Sequence, residues 1–143
     1  MARYKTRIQT LMAVDQAFDF MADLRNFEQW DPGVASSRQV RGEGPGPDAA
    51  YRVIASNVEL IYYTQVFERP HRLVAEANTE RLRSFDVITV EDAGSGSIVT
   101  YDARLELKGA YCVFDPLLGL LFRRIGKRAD AGLQKALNGI KVA

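Results

Sequence analysis

The sequence predicts an α+β fold in which a seven-stranded antiparallel sheet is covered by a long C-terminal helix. Between residues 34 and 109, apolar and polar residues alternate in short runs separated by turn residues, which is typical of strands with tight connections. After residue 113, apolar residues recur at three- and four-residue steps, which is typical of an amphipathic helix. One face of an antiparallel sheet is usually covered, and this helix is the only segment long enough to cover it.

The composition is that of a globular protein and argues against several functional classes. The 143 residues suit a single domain spanning residues 1–143, without repeats or a linker. Nineteen Lys and Arg against eighteen Asp and Glu leave a net charge of +1, so no nucleic acid partner is expected. No apolar run is long enough for integral membrane insertion. The lone Cys112 and the absence of a signal peptide predict a cytoplasmic protein.

The first elements are a strand and two short helices. Alternation predicts a strand over Arg3 to Leu11, and helical spacing predicts a helix over Val14 to Leu24. A short second helix follows Asn26 and is closed by the turn Pro32-Gly33. Trp30 in this segment has two interpretations: it anchors the helix under the rim of the sheet, or it covers a ligand at a pocket mouth.

Six further strands are expected before the long helix, each bounded by turn residues. They are Ala35–Arg41, Ala50–Ser56, Glu59–Glu68, Arg72–Thr79, Arg83–Glu91 and Ser97–Lys108. Alternation assigns to the inner face Tyr51, Val53, Ala55, Leu60, Tyr62, Thr64, Val66, Leu73, Ala75, Ala77, Val99, Tyr101, Ala103, Leu105 and Leu107. The outer residues of the last strand, Thr100, Asp102, Arg104 and Glu106, are polar and are expected to face water.

The long helix is predicted over Phe114 to Leu137, with Asp115-Pro116 as its start signal and Asn138-Gly139 as its stop. We expect its whole apolar face to be buried: Phe114, Leu117, Leu118, Leu121, Phe122, Ile125, Ala129, Leu133, Ala136 and Leu137. Its three glycines, Gly119, Gly126 and Gly132, either admit a close neighbour or leave volume for a ligand. The cations Arg123, Arg124, Lys127 and Arg128 form either a solvated face or a surface for nucleic acid or membrane.

This order of elements resembles the helix-grip fold of the START and birch-pollen-allergen (SRPBCC) superfamily, in particular its polyketide cyclase/dehydrase branch. The resemblance is carried by the segments Ala13–Gly33, Val66–Val74 and Gly96–Tyr101. It implies a curved sheet wrapped around the long helix, with an elongated cavity between them. In relatives such cavities hold lipids, sterols, quinones, hormones or polyketide intermediates. No catalytic motif of that branch matches residue by residue, so only the cavity is carried over.

Candidate site residues follow from the predicted inner face and the helix. The ligand-binding candidates are Trp30, Tyr51, Val53, Tyr62, Thr64, Leu105, Phe114, Leu118, Leu121 and Phe122. If Asp86 points inward, it and Tyr101 are the candidate catalytic pair for proton transfer. Alternatively, Asp86 forms an ion pair with Arg83 or another Arg, or faces water. One His and one Cys cannot build a zinc site, and no cofactor motif occurs, so neither metal nor cofactor is expected.

Three hypotheses about function remain open at this stage. The first is binding of an apolar or aromatic small molecule, such as a lipid, quinone or polyketide-like compound, in the cavity. The second is a polyketide cyclase or dehydratase that uses neither metal nor cofactor. The third is a lipid- or quinone-delivering chaperone with a protein partner, which predicts a large exposed apolar patch outside the cavity. A homodimer is compatible with the sequence.

Overall fold

The computed structural model describes residues 1–143 and contains a curved antiparallel sheet, two short helices and a long C-terminal helix. The elements are β1 (Ala2–Thr10), α1 (Val14–Ala22), α2 (Phe27–Trp30), β2 (Val34–Arg41), β3 (Ala50–Ala55), β4 (Val58–Glu68), β5 (Arg72–Asn78), β6 (Leu82–Asp92), β7 (Ser97–Leu107), α3 (Asp115–Ala136) and β8 (Ile140–Val142). Two 3-10 segments, Leu24–Asn26 and Gly109–Phe114, precede α2 and α3. The α+β class and the element order are therefore as predicted.

The sheet has eight strands, where the sequence predicted seven. Its strand order is β2-β3-β4-β5-β6-β7-β1-β8, so the chain returns to pair its last strand with its first. The missed strand, β8, starts just after the predicted stop at Asn138-Gly139 and pairs antiparallel with Arg7 to Gln9 of β1. Three residues are too few to carry an alternation pattern, so only the pairing with β1 defines this strand.

The predicted inner face is correct along most strands but changes phase in β4. A bulge between Thr64 and Val66 interrupts the pairing of β4 with β5. Beyond it Phe67, and not the predicted Val66, packs against the core, with its ring 5.5 Å from that of Phe18. The expectation that the outer residues of the last strand face water is also wrong at two positions, Thr100 and Asp102, which are both buried. Asp102 is buried there because it accepts hydrogen bonds from Arg3 and Arg104.

Helix α3 packs against the sheet with its C-terminal half only. Ala129, Leu133 and Leu137 are buried, whereas Leu117 and Leu121 are 65% and 50% exposed. The prediction that the whole apolar face is buried is therefore wrong for the N-terminal half. Among the helices, none combines the length and the apolar composition that a membrane-spanning segment needs.

Glycines explain where α3 approaches its neighbours. A Cβ atom at Gly126 would overlap the Tyr4 ring of β1, and one at Gly132 would overlap the Trp30 carbonyl of α2. Both sites thus require the absence of a side chain, which is one of the two roles predicted for them. Gly119, in the N-terminal half, has open space where its Cβ would lie.

Candidate functional site

A cavity of about 270 Å³ lies between the sheet and the N-terminal half of α3. It exists because α3 contacts β1 and α2 near its C-terminal end and diverges from the sheet toward its start. Of the 24 residues that line it, 18 are hydrophobic, so the cavity suits a predominantly apolar guest. The helical wall consists of Leu118, Leu121, Phe122, Ile125, Gly126 and Ala129.

The sheet wall carries a small polar cluster on β4, β6 and β7. Tyr62 lies opposite Ala77, and Ala77 lies opposite Ser84, so the Tyr62 phenol reaches across β5 above the small alanine. The Tyr62 hydroxyl and Ser84 Oγ are 2.6 Å apart. Asp86 follows two residues later on the same face, and the Tyr101 hydroxyl donates a hydrogen bond of 3.3 Å to its Oδ2.

Small neighbours explain how the sheet admits a buried carboxyl group. Asp86 lies opposite Ala75 of β5 and Ala103 of β7, and both alanines leave room beside it. Tyr101 pairs with Ile88 and therefore approaches Asp86 along the diagonal, which long side chains can span. No cation is paired with Asp86: Arg83 forms its ion pair with Glu76 instead. Of the three interpretations of Asp86, the inward, unpaired one describes the structure.

The buried cluster has shifted acidities. Burial raises the pKa of Asp86 to about 7, with the Tyr101 hydrogen bond opposing the shift and the charges of Asp31 and Asp102 adding to it. Burial and the nearby Asp86 charge raise the pKa of Tyr62 and Tyr101, so both remain phenols. Near neutral pH, Asp86 thus populates both its acid and its carboxylate form, as a proton-transfer group requires.

A second acid, Asp31, borders the cavity in the turn after α2. Its Oδ1 accepts a 2.9 Å hydrogen bond from the backbone N–H of Gly33. Burial raises the pKa of Asp31, and the Gly33 hydrogen bond partly opposes that shift. The cavity therefore contains two carboxyl groups and no paired cation, so an anionic group on a guest would meet repulsion there.

Eight of the twelve predicted site residues border the cavity. They are Val53, Tyr62, Asp86, Tyr101, Leu105, Leu118, Leu121 and Phe122. Their positions follow from the alternation of β3, β4, β6 and β7 and from the helical phase of α3. The structure thus brings the candidate catalytic pair and most of the candidate ligand-binding residues together around a single cavity, on either its sheet wall or its helical wall.

The other four predicted residues do not line it. Trp30 is buried behind the cluster, with its ring 5.0 Å from that of Tyr101 and 4.8 Å from that of Phe27, so it anchors α2. Tyr51 and Thr64 are buried in the sheet outside the cavity lining. Phe114 is exposed because it ends the 3-10 segment before α3, where the α-helical spacing used to place it does not apply.

Sequence reasoning missed several lining residues. Ser84 could have been predicted from the sequence, since it alternates with Asp86 and Ile88 on the same face of β6. Asp31 carried no periodic signal, because it lies in a turn and is brought to the cavity, half-buried, only by the tertiary fold. Tyr4 and Leu82 also border the cavity, at strand positions that the predicted inner set did not include.

Comparisons with known proteins agree with this geometry. A family model described as polyketide cyclase / dehydrase and lipid transport matches residues 1–142. A START superfamily protein from Mycobacterium smegmatis superposes with a TM-score of 0.76 at 10% identity, covering 96% of this chain and 98% of its own. A hypothetical protein from Helicobacter pylori gives 0.73 at 10% identity, covering 95% and 86%. A conserved protein from Geobacillus kaustophilus gives 0.67 at 13% identity, covering 99% of both chains. No curated protein matches the chain. The structural matches confirm the helix-grip fold.

Proposed function

Because the chain belongs to the polyketide cyclase / dehydrase and lipid transport family, we propose that it binds an apolar or aromatic small molecule in the cavity under α3. The guest is lipid-like, quinone-like or polyketide-like: apolar over most of its length, with a neutral polar group at one end. The observation that carries this proposal is the separation of the N-terminal half of α3 from the sheet, which leaves an apolar space of about 270 Å³.

The polar cluster supports an orientation for the guest. The pair of Tyr62 and Ser84, and the pair of Tyr101 and the acid form of Asp86, each use one hydroxyl proton between the partners. The other proton of each pair can be donated to a carbonyl or hydroxyl group of the guest. Every other wall is mainly apolar, so a guest with a polar group at its far end would leave that group without a partner. Asp31 and Asp86 disfavour a carboxylate or phosphate inside the cavity.

A cavity-filling variant tests this proposal. Leu118→Trp fills the space from the helical wall, and Leu117→Trp is its matched control, because Leu117 is the adjacent residue but does not line the cavity. Titration with an environment-sensitive apolar fluorophore should give at least tenfold weaker binding for L118W and unchanged binding for L117W. Native mass spectrometry of the wild type should detect a retained small molecule that L118W lacks. Equal fluorophore affinity in both variants would reject the cavity as the binding site.

A second candidate function is proton transfer on a bound ketone, as in a cyclase or dehydratase. It is favoured by Asp86, whose pKa is raised to about 7 and which faces the cavity 3.3 Å from the Tyr101 hydroxyl. In this role the Asp86 carboxylate removes a proton from the carbon next to the carbonyl group. The Tyr101 O–H is released from Asp86 as that carboxylate becomes protonated, and it then donates its hydrogen bond to the developing enolate oxygen. Proton removal and stabilisation of the carbonyl oxygen therefore need only residues of the polar cluster.

Hydrogen–deuterium exchange of an aryl methyl ketone such as acetophenone, followed by NMR, tests this second function. The wild type should accelerate exchange of the methyl protons, with a rate that rises as pH passes through about 7. Asp86→Asn should reduce the acceleration at least about a hundredfold while keeping fluorophore binding. Tyr101→Phe should reduce it less, since it leaves the base in place. Exchange at the background rate in the wild type would reject this function and leave the binding function intact.

A further inference from the structure

An exposed apolar patch surrounds the start of α3. We define the apical patch as Val113, Phe114, Leu117, Leu120 and Leu121, whose exposed fractions run from 50% to 75%. These residues follow one another at the end of the 3-10 segment and in the first two turns of α3, so they form one continuous surface. Single exposed apolar residues are ordinary, but a continuous group of this size marks an interaction surface.

A group of cations follows the patch on the same helix. We define the basic collar as Arg123, Arg124, Lys127 and Arg128, all of them exposed. None forms an ion pair, although most other arginines of the chain are paired with a carboxylate. The one acid between residues 109 and 128, Asp115, is paired with the N-terminal ammonium group. The positive charge of the collar is therefore not neutralised within the protein.

The spacing of patch and collar matches the interface of a lipid bilayer. At 1.5 Å per residue, Arg124 lies about 6 Å and Lys127 about 10 Å beyond Leu120 along the helix axis. With the start of α3 pointing into the bilayer, this axial separation places the apical patch below the basic collar by about 5–10 Å, which is the depth to which interfacial helices bury their apolar residues while their cations remain among the headgroups. We propose that the apical patch and the basic collar together form a docking surface for an anionic lipid bilayer.

Two other possible partners, a second copy of the chain and another protein, fit the apical patch and the basic collar less well than a bilayer does. A second copy of the chain packed on the patch about a twofold axis would present the same residues, and the one acid among them, Asp115, is already paired, so the collar would gain no counter-charge. A protein partner would need an acidic surface beside an apolar one. An anionic bilayer supplies both chemistries, because its headgroups neutralise the collar and its acyl chains cover the patch.

The docking surface adjoins the cavity. Leu121 belongs to the apical patch and also lines the cavity next to Leu118. A guest can therefore pass from the bilayer into the cavity along apolar side chains. The inference goes beyond the proposed function and does not depend on it, since the patch and the collar would dock whether or not the cavity is occupied.

Co-sedimentation with vesicles tests the electrostatic half of the proposal. The wild type should bind vesicles of phosphatidylcholine with 30% phosphatidylglycerol, and bind phosphatidylcholine vesicles at least tenfold more weakly. Arg123→Gln with Arg124→Gln should weaken binding to the anionic vesicles by about fivefold per cation removed. The matched control is Lys5→Gln with Arg38→Gln, two exposed cations of the sheet without ion pairs, and it should bind like the wild type. Equal binding to both vesicle types would overturn the proposal.

A second pair of variants tests the apolar half. Leu117→Gln with Leu120→Gln should weaken binding to anionic vesicles at least tenfold, whereas Leu11→Gln with Val40→Gln, exposed apolar residues elsewhere, should not. Circular dichroism checks that each variant folds. If the wild type is a dimer that the Leu117 and Leu120 changes dissociate, or if it ignores vesicles altogether, the patch is not a bilayer surface. Fluorophore binding without vesicles is measured in parallel, so that failure of docking is distinguished from failure of the cavity.

Discussion

The two halves of α3 both carry apolar residues at helical spacing, but their surroundings differ. Each half has at least one leucine on the sheet-facing side and at least one glycine, yet Leu133 is fully buried while Leu118 borders a cavity. In the C-terminal half, Asp130 Oδ1 accepts a 2.6 Å hydrogen bond from Thr6, and Lys141 of β8 lies 3.0 Å from Oδ2. The Thr10 hydroxyl donates to the carbonyl of Leu137. No such contact ties the N-terminal half to the sheet beyond the pairing of Asp115 with the N-terminus.

One helix thus combines a half that is fixed to the fold with a half that borders a cavity. The C-terminal half supplies the buried apolar area and the polar contacts that attach the helix to β1, β8 and α2. The N-terminal half is held mainly by continuity of the helix, so its apolar face remains available to a guest and its outer face to a partner. Three predictions, in order of effect, examine this division.

Truncation of one leucine in each half should have unequal effects on stability. Leu133→Ala removes a fully buried side chain and should lower the free energy of unfolding by about 3 to 5 kcal/mol. Leu118→Ala only enlarges a cavity that already exists and should cost about 1 kcal/mol or less. Urea unfolding of both variants measures the difference. Equal losses would mean that α3 packs along its whole length.

Replacing a glycine of α3 by alanine should affect stability in opposite directions in the two halves of the helix. At Gly132 a Cβ would overlap the Trp30 carbonyl, and displacing backbone should cost about 3 kcal/mol. At Gly119 there is open space, so the higher helix propensity of Ala should stabilise by up to about 1 kcal/mol. Thermal unfolding followed by circular dichroism compares the two. A tolerated Gly132→Ala would show that α2 and α3 are not in close contact.

The buried acid at the open end should make stability fall with rising pH. Burial raises the pKa of Asp86 from 3.8 to about 7, so between these values the folded protein holds a proton that the unfolded chain releases. Asp86→Asn should therefore match the wild type near pH 4 and exceed it by about 2 kcal/mol near pH 8. At ~1.4 kcal/mol per pKa unit the shift from 3.8 to about 7 corresponds to roughly 4 kcal/mol, which relaxation of the buried site reduces. Urea unfolding across this range measures the effect.

Asp102 supplies a control, because its ionisation should stabilise the folded protein, whereas that of Asp86 should destabilise it. Hydrogen bonds from Arg3 and Arg104 lower the pKa of Asp102, so its charged form stabilises the folded state above its unfolded pKa. Asp102→Asn should therefore be less stable than the wild type near pH 8. If Asp86→Asn were also destabilising at that pH, the Asp86 carboxylate would have a favourable partner when charged, contrary to the buried, unpaired geometry.

Local residue patterns were enough to predict the helices, seven of the eight strands and most of one cavity wall. Period-2 alternation placed Val53, Tyr62, Tyr101 and Leu105 on the inner face, because successive side chains of a strand point to opposite sides whatever the rest of the fold does. Helical spacing likewise put Leu118 on the sheet-facing side of α3. Such periodicities are local and can be counted from the residues alone.

Only the tertiary structure decided where α3 touches the sheet and where it does not. The apolar spacing of α3 continues through both halves, so it could not predict that Gly126 and Gly132 admit Tyr4 and Trp30 while Gly119 faces open space. Contact between segments distant in the chain also fixed β8, the position of Asp31 at the cavity and the exposure of the apical patch. A periodic pattern states which face of an element is apolar, but the packing of neighbouring elements decides whether that face is buried, lines a cavity or meets solvent.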